Sequence, residues 1–230
     1  MVFIVFAGSV VQAGLGMGFG LTVAPILALL DPVLVPVSAL YLGTATSIAG
    51  ALNERAHIVW KEVAICLSGR VSGTFVGLFI LLSLTSLATF SFVFGVVILF
   101  AVLLSVAGWR LALNMPNLLA VGVVSGFIGI ITSVGAPPLA LIYQHRPAAQ
   151  SRATLATFFA LGCLVSLVVL YVAGLGNLTH LWAALAMALP AIVGTWAGRR
   201  MRGGFDQRYR AFLLGIAALA SLMLIYRGLA

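Results

Sequence analysis

The first charged side chain in this sequence is Asp31, and the thirty residues before it are apolar or small, interrupted only by Ser9, Gln12 and Thr22. A hydrocarbon core about 30 Å thick needs roughly 20 such residues for one helical crossing. Further apolar stretches follow with short polar breaks, at 2–30, 35–53, 63–82, 88–109, 118–143, 153–174, 181–198 and 211–226. No room is left for a soluble domain. The chain reads as an all-α integral membrane protein with a single membrane domain over residues 1–230. Its 7% charged residues agree, since soluble proteins carry about 25%.

The formal charge of +8 would suggest nucleic acid if it formed one surface, but the basic residues gather at segment ends, above all in 198–210. That placement fits membrane orientation and anionic headgroups, so no nucleic-acid partner is expected. Cys66 and Cys163 lie singly inside apolar runs and offer neither a disulfide framework nor a metal site. No metal or cofactor is expected. The N-terminus lacks the basic region of a removable signal and is read as part of the fold.

Two segments are anomalous. The first carries Gly14, Gly16, Gly18 and Gly20 in "AGLGMGFGLTVAP", and the fifth carries "TSVGAPP" over 132–138. Alternating glycines fall on opposite sides of a helix and make a poor packing stripe, which favours a broken backbone. By contrast, Gly69, Gly73 and Gly77, and Gly194 and Gly198, have the small-xxx-small spacing of close helix packing. The chain also looks duplicated: Gly18 matches Gly135, Gly73 matches Gly194, Gly77 matches Gly198 and Gly95 matches Gly215, at offsets of 117 to 121.

Loop charges bear on topology. Eight full crossings would put Arg55, Lys61 and Arg110 opposite Arg146, Arg152, Arg199, Arg200, Arg202, Arg208 and Arg210, against the positive-inside rule. If both broken segments are re-entrant, these ten of the twelve basic residues share one face, leaving Arg227 opposite and Arg70 within a helix. The expected architecture is then two inverted repeats, 1–113 and 118–230, each a glycine/proline-broken re-entrant segment plus three transmembrane helices. Basic loops would be cytoplasmic in a cell (inner) membrane, with both termini outside.

Irregular backbone at membrane depth survives only against protein or a water-filled cavity. A helix that resumes after each break aims unpaired N–H groups and a positive dipole end at that cavity, and so can cradle an anion. The candidate substrate-binding residues are Gln12, Gly14, Gly16, Gly18 and Gly20 at the first break, and Thr132, Ser133, Gly135 and Ala136 at the second. Thr46, Asn53 and Thr157 on flanking segments could donate hydrogen bonds, as could Thr44, Ser47 and Thr154. Arg70, eight residues into its segment, either faces the interior or snorkels to the surface. His57, His145 and His180 stand at segment ends, where solvation is the default.

The residues "GLGMGFGLTVAP", "SGFIGIITSVGAPPL" and "RAT" at 152–154, with the duplicated organisation, resemble the sulfite exporter TauE/SafE family of membrane permeases. The family's glycine motifs are typically GxGGG-like and GGPP-like. Here they read Gly16-Met17-Gly18-Phe19-Gly20 and Gly135-Ala136-Pro137-Pro138. The resemblance implies transport, often export, of small sulfur-containing or organic anions such as sulfite or sulfonates. An anion channel, or a non-transporting assembly or sensor subunit, is the alternative. An enzyme is not expected, because no nucleophile and base stand together at depth. The four acids, Asp31, Glu54, Glu62 and Asp206, lie at segment ends, which leaves no buried carboxylate for proton coupling. Oligomeric state is not legible.

Overall fold

In a computed structural model the described residues are 1–107, 111–144, 146–201 and 207–229, the side chains of 207–210 excepted. Arg110, His145, Arg202, Asp206 and the side chains of Arg208 and Arg210, on which part of the charge pattern rests, lie outside them. The described chain is helical: α1 (Val2–Leu15), α2 (Phe19–Leu30), α3 (Val37–Asn53), α4 (Trp60–Ser83), α5 (Leu87–Val106), α6 (Met115–Thr132), α7 (Ala136–Tyr143), α8 (Ala148–Val172), α9 (Leu178–Ala186), α10 (Ala188–Arg200) and α11 (Gln207–Leu229). Single 3₁₀ turns at Pro32–Leu34 and Arg55–His57 flank α3.

Five described helices, α4, α5, α6, α8 and the 211–229 part of α11, are long and apolar enough to cross a membrane. The pair α9 and α10, bent by 50° at its break, would be a sixth. The protein is therefore a multi-pass membrane protein. Large apolar side chains such as Phe79, Val172, Leu189 and Leu222 stand exposed around its periphery, where a bilayer would cover them. Polar caps close helices at the segment ends: Ser86 accepts from the Thr89 N–H before α5, and Asn114 from the Asn117 N–H before α6.

Segments one and five are each two helices. The first ends where Gly16 turns left-handed at φ 77° and donates to the Gln12 carbonyl, and Gly18 at φ 111° starts α2. In the second, Ser133 adopts φ 63° at the end of α6, and α7 begins with Pro137 and Pro138 in its first turn. The two helices of each segment also lie against one another. A Cβ on Gly8 would run into Val23, and the Leu111 N–H, ahead of α6, donates to the Leu141 carbonyl near the end of α7.

Small residues then decide which helices meet. A Cβ on Gly69, Gly73 or Gly77 of α4 would overlap the α6 backbone at Leu119, Val123 or Phe127, and one on Gly194 or Gly198 of α10 would overlap α1 at Phe6 or Val10. The packing role expected of these glycines is what the structure shows. In both pairs the residue numbers rise together, so each pair is parallel. Helices α3 and α8 pack on each other, as do α5 and α11.

Candidate functional site

The two breaks touch. A Cβ on Gly20 would collide with the Ser133 carbonyl, so only glycine lets the start of α2 lie against the turn after α6. Where they meet is a cavity of about 30 Å³, lined on its polar side by Gln12, Gly18, Gly20, Ser47, Ser133 and Gly135. Phe19, Phe159 and Cys163 supply apolar wall. A single water needs roughly 10–15 Å³ of such space, so there is room for more than one.

Gln12 organises the first break. Its Oε1 accepts from the Phe19 N–H at 3.1 Å, and its Nε2 donates to Ser47 Oγ at 2.9 Å. One of the free N–H groups at the start of α2 is thereby already satisfied. At the second break Thr132 Oγ1 accepts from the Val134 N–H at 3.2 Å, and Ser133 Oγ donates to the Pro36 carbonyl at 2.9 Å. Pro137 and Pro138 remove two donors from the first turn of α7, leaving Ala136 and Leu139 as its early N–H groups.

Behind Gly135 lies the strongest electrostatic feature. Arg70 is only 1% exposed, its Nη1 donates to Ser125 Oγ at 2.9 Å, and Ser125 Oγ in turn donates to the Gly135 carbonyl at 2.7 Å. Its guanidinium sits 5.3 Å from the Phe158 ring centroid. Space for it exists because three neighbours lack side chains: Cβ atoms on Gly129, Gly135 or Gly162 would press on the guanidinium. Among the described residues it has no carboxylate partner. The described ion pairs are Glu62 with Arg146 and Glu54 with Arg152, and Asp31 caps a turn through Val33. Arg70 Nε and Thr74 Oγ1, one turn on, have no hydrogen-bond partner. A buried cation without a counter-charge is costly, and where it persists a functional anion is the physical explanation to test.

Other candidates are dispersed. Gly14 stays inside α1, and Gly16 faces away from the cavity, a Cβ there lying 2.6 Å from Arg152 Cα. Thr46 and Thr157 turn their hydroxyls onto the Leu42 and Ala153 carbonyls of their own helices, and Asn53 is exposed at the end of α3. Ala136 lines the cavity wall. His180 departs from the solvated role expected at a segment end. It is buried, accepts from the Asn177 N–H through Nδ1 and bonds the Val33 carbonyl through Nε2. Ser125, which carries both Arg70 and Gly135, was not singled out in the sequence. Serine within a glycine-rich apolar run gives no signal of its own, because such hydroxyls usually bond their own helix.

A family model described as sulfite exporter TauE/SafE matches residues 1–224. The chain belongs to the sulfite exporter TauE/SafE family. Neither the curated proteins nor the solved structures gave a match. Membership makes the chain a membrane transporter within a family named for sulfur anions, in agreement with its five or six apolar helices.

Proposed function

We propose that the chain exports a small sulfur-containing or organic anion, sulfite or a compact sulfonate, and holds it where the two helix breaks meet, in the field of Arg70. The observation that carries this reading is Arg70, buried behind Gly135 at the edge of the cavity with no carboxylate partner among the described residues. On this reading both broken segments are re-entrant and their tips meet near the membrane midplane. Residues 1–113 and 118–230 are inverted repeats. Support comes from the glycine contacts: Gly73 and Gly77 of the first half meet Val123 and Phe127 of the second, as Gly194 and Gly198 of the second meet Phe6 and Val10 of the first. Opposite orientation is supported because Glu62, at the start of α4, pairs with Arg146 while Gly16, at the end of α1, lies against the nearby Arg152. The face carrying these arginines is cytoplasmic, and both termini lie outside.

On this reading a rocking of the two halves exposes the cavity between the tips alternately to either side. Gln12 then yields the Phe19 N–H or turns its own amide N–H toward the anion. Glu62 is buried, against the expectation that no carboxylate would be, but it is paired with Arg146, while Glu54 binds Arg152 and Asp31 caps a turn, and this reading takes the membrane potential as the driving force. It supplies about 2.3 kcal/mol per elementary charge per 100 mV, enough for a concentration ratio on the order of fifty.

The test is radiolabelled sulfite flux in proteoliposomes under an imposed potential, comparing wild type with Arg70→Gln. Saturable, voltage-driven flux that is lost in the variant supports the proposal. Flux indifferent to voltage removes the electrogenic step, and flux unchanged in the variant removes the site.

A further inference from the structure

Away from the cavity, α3, α9 and α10 enclose a groove of about 450 Å³. Its walls are almost wholly apolar, formed by residues such as Leu42, Ala45, Ala49, Ala188 and Ile192. It owes its existence to the 50° bend between α9 and α10 and to the alanines facing across it. From Ala188 to Arg199 the groove follows α10 for roughly 16 Å at 1.5 Å per residue, close to half of a ~30 Å hydrocarbon core. One leaflet's acyl chain has that length.

The groove's two ends differ. One carries Tyr41 and Leu181. The other carries Trp196 and Arg199, with Arg200 directly following. Arg199 donates from Nη2 to the Ala49 carbonyl at 2.8 Å, while its Nε is buried without a partner. The Arg200 guanidinium lies over the Trp196 ring at 3.7 Å from the centroid, and the ring is itself exposed. Neither arginine has a carboxylate partner among the described residues. Paired arginines beside an exposed tryptophan, at the mouth of an apolar slot one leaflet deep, match the layout of a phospholipid: headgroup outside, chain within.

We infer that this groove is a binding site for an anionic phospholipid, its phosphate held by Arg199 and Arg200 and one acyl chain laid along α10. A zwitterionic lipid has the chain but not the net charge the two guanidinium groups ask for. The site also touches the transport core: α3 gives Leu42 and Thr46 to the groove, and Gly43 and Ser47 to the cavity between the breaks. A seated lipid therefore buttresses the helix from which Ser47 reaches Gln12.

The test is native mass spectrometry of the detergent-purified chain titrated with equimolar phosphatidylglycerol and phosphatidylcholine, together with thermal unfolding in each lipid. The expected result is at least a fivefold preference for phosphatidylglycerol and a higher midpoint with it. Both should be lost in Arg199→Gln/Arg200→Gln and retained in Arg227→Gln, whose guanidinium bonds the Leu29 carbonyl elsewhere. Ala188→Trp keeps the arginines but fills the slot, so it should expel either lipid, which covers the case in which the double variant folds poorly. Equal retention of the two lipids by wild type overturns the inference. So does an unchanged preference in the double variant, undiminished binding in Ala188→Trp, or equal stabilisation by inorganic phosphate alone.

Discussion

Arg70 is where a single side chain decides most. Long charged side chains near helix ends ordinarily run along the helix and release their charge at the interface, but this one stays inside, over Phe158 and under Gly135. Removing a buried charge that lacks a counter-charge also removes its desolvation cost, which offsets the loss of its hydrogen bond to Ser125. Arg70→Gln should therefore cut anion flux at least tenfold while its unfolding midpoint in detergent holds or rises. A matching collapse of the midpoint would make Arg70 a structural residue instead. Gly135→Ala checks the same geometry with the charge retained, because the new Cβ would stand 2.7 Å from Arg70 Nη1 and Ser125 Oγ. Flux should fall severalfold with the arginine still in place.

Among helices, the parallel glycine seams are the tightest joints. A methyl group on Gly73 would meet the Val123 carbonyl oxygen, a backbone atom that can move only with its helix, so Gly73→Ala should cost about 1–3 kcal/mol. Gly215 on α11 has nothing within 4 Å of its Cβ position, and Gly215→Ala should be neutral or gain up to about 1 kcal/mol from helix propensity. Thermal or denaturant unfolding of the two variants side by side separates seam from surface. Two ion pairs tie the junction between α3 and α4 to the start of α8. Glu54 binds Arg152 through both carboxylate oxygens, and Glu62 binds Arg146 while accepting from Tyr143 Oη at 2.8 Å. Glu62 is 8% exposed in its side chain and Arg146 32%, so screening is partial and Glu62→Gln should cost on the order of 1–3 kcal/mol. Its unfolding midpoint should drop by a few degrees.

For the whole molecule, an anion held in the cavity between the breaks should show in the stability of the fold. A ligand that binds the folded chain raises its stability by mass action. Sulfite, thiosulfate, small sulfonates, sulfate and carboxylates should accordingly separate in a thermal-shift panel, with compact sulfur monoanions giving the largest rise. A flat panel would count against a selective site. Much of the organisation was legible beforehand. The glycines of the first break, the TSVGAPP turn and the packing glycines of α4 and α10 each leave a local mark, because backbone dihedrals and small-residue spacing act over a few positions. Ser125, the burial of His180 and the groove behind α3 leave none, since each depends on partners brought from far along the chain: Arg70, Val33 and α10 respectively.

By itself the sequence determined that this chain lives in a bilayer, that its helices break at two places marked by glycine or proline and that two helices carry packing glycines, because helix length, dihedral freedom and spacing are properties of short stretches. Only the tertiary structure decided that the breaks meet at Gly20 and Ser133, and that Arg70 turns inward rather than toward the surface. The physical reason is room: a guanidinium enters the interior only where glycines from α6, from the turn before α7 and from α8 leave space around it, and no stretch of one helix can announce what three segments leave open.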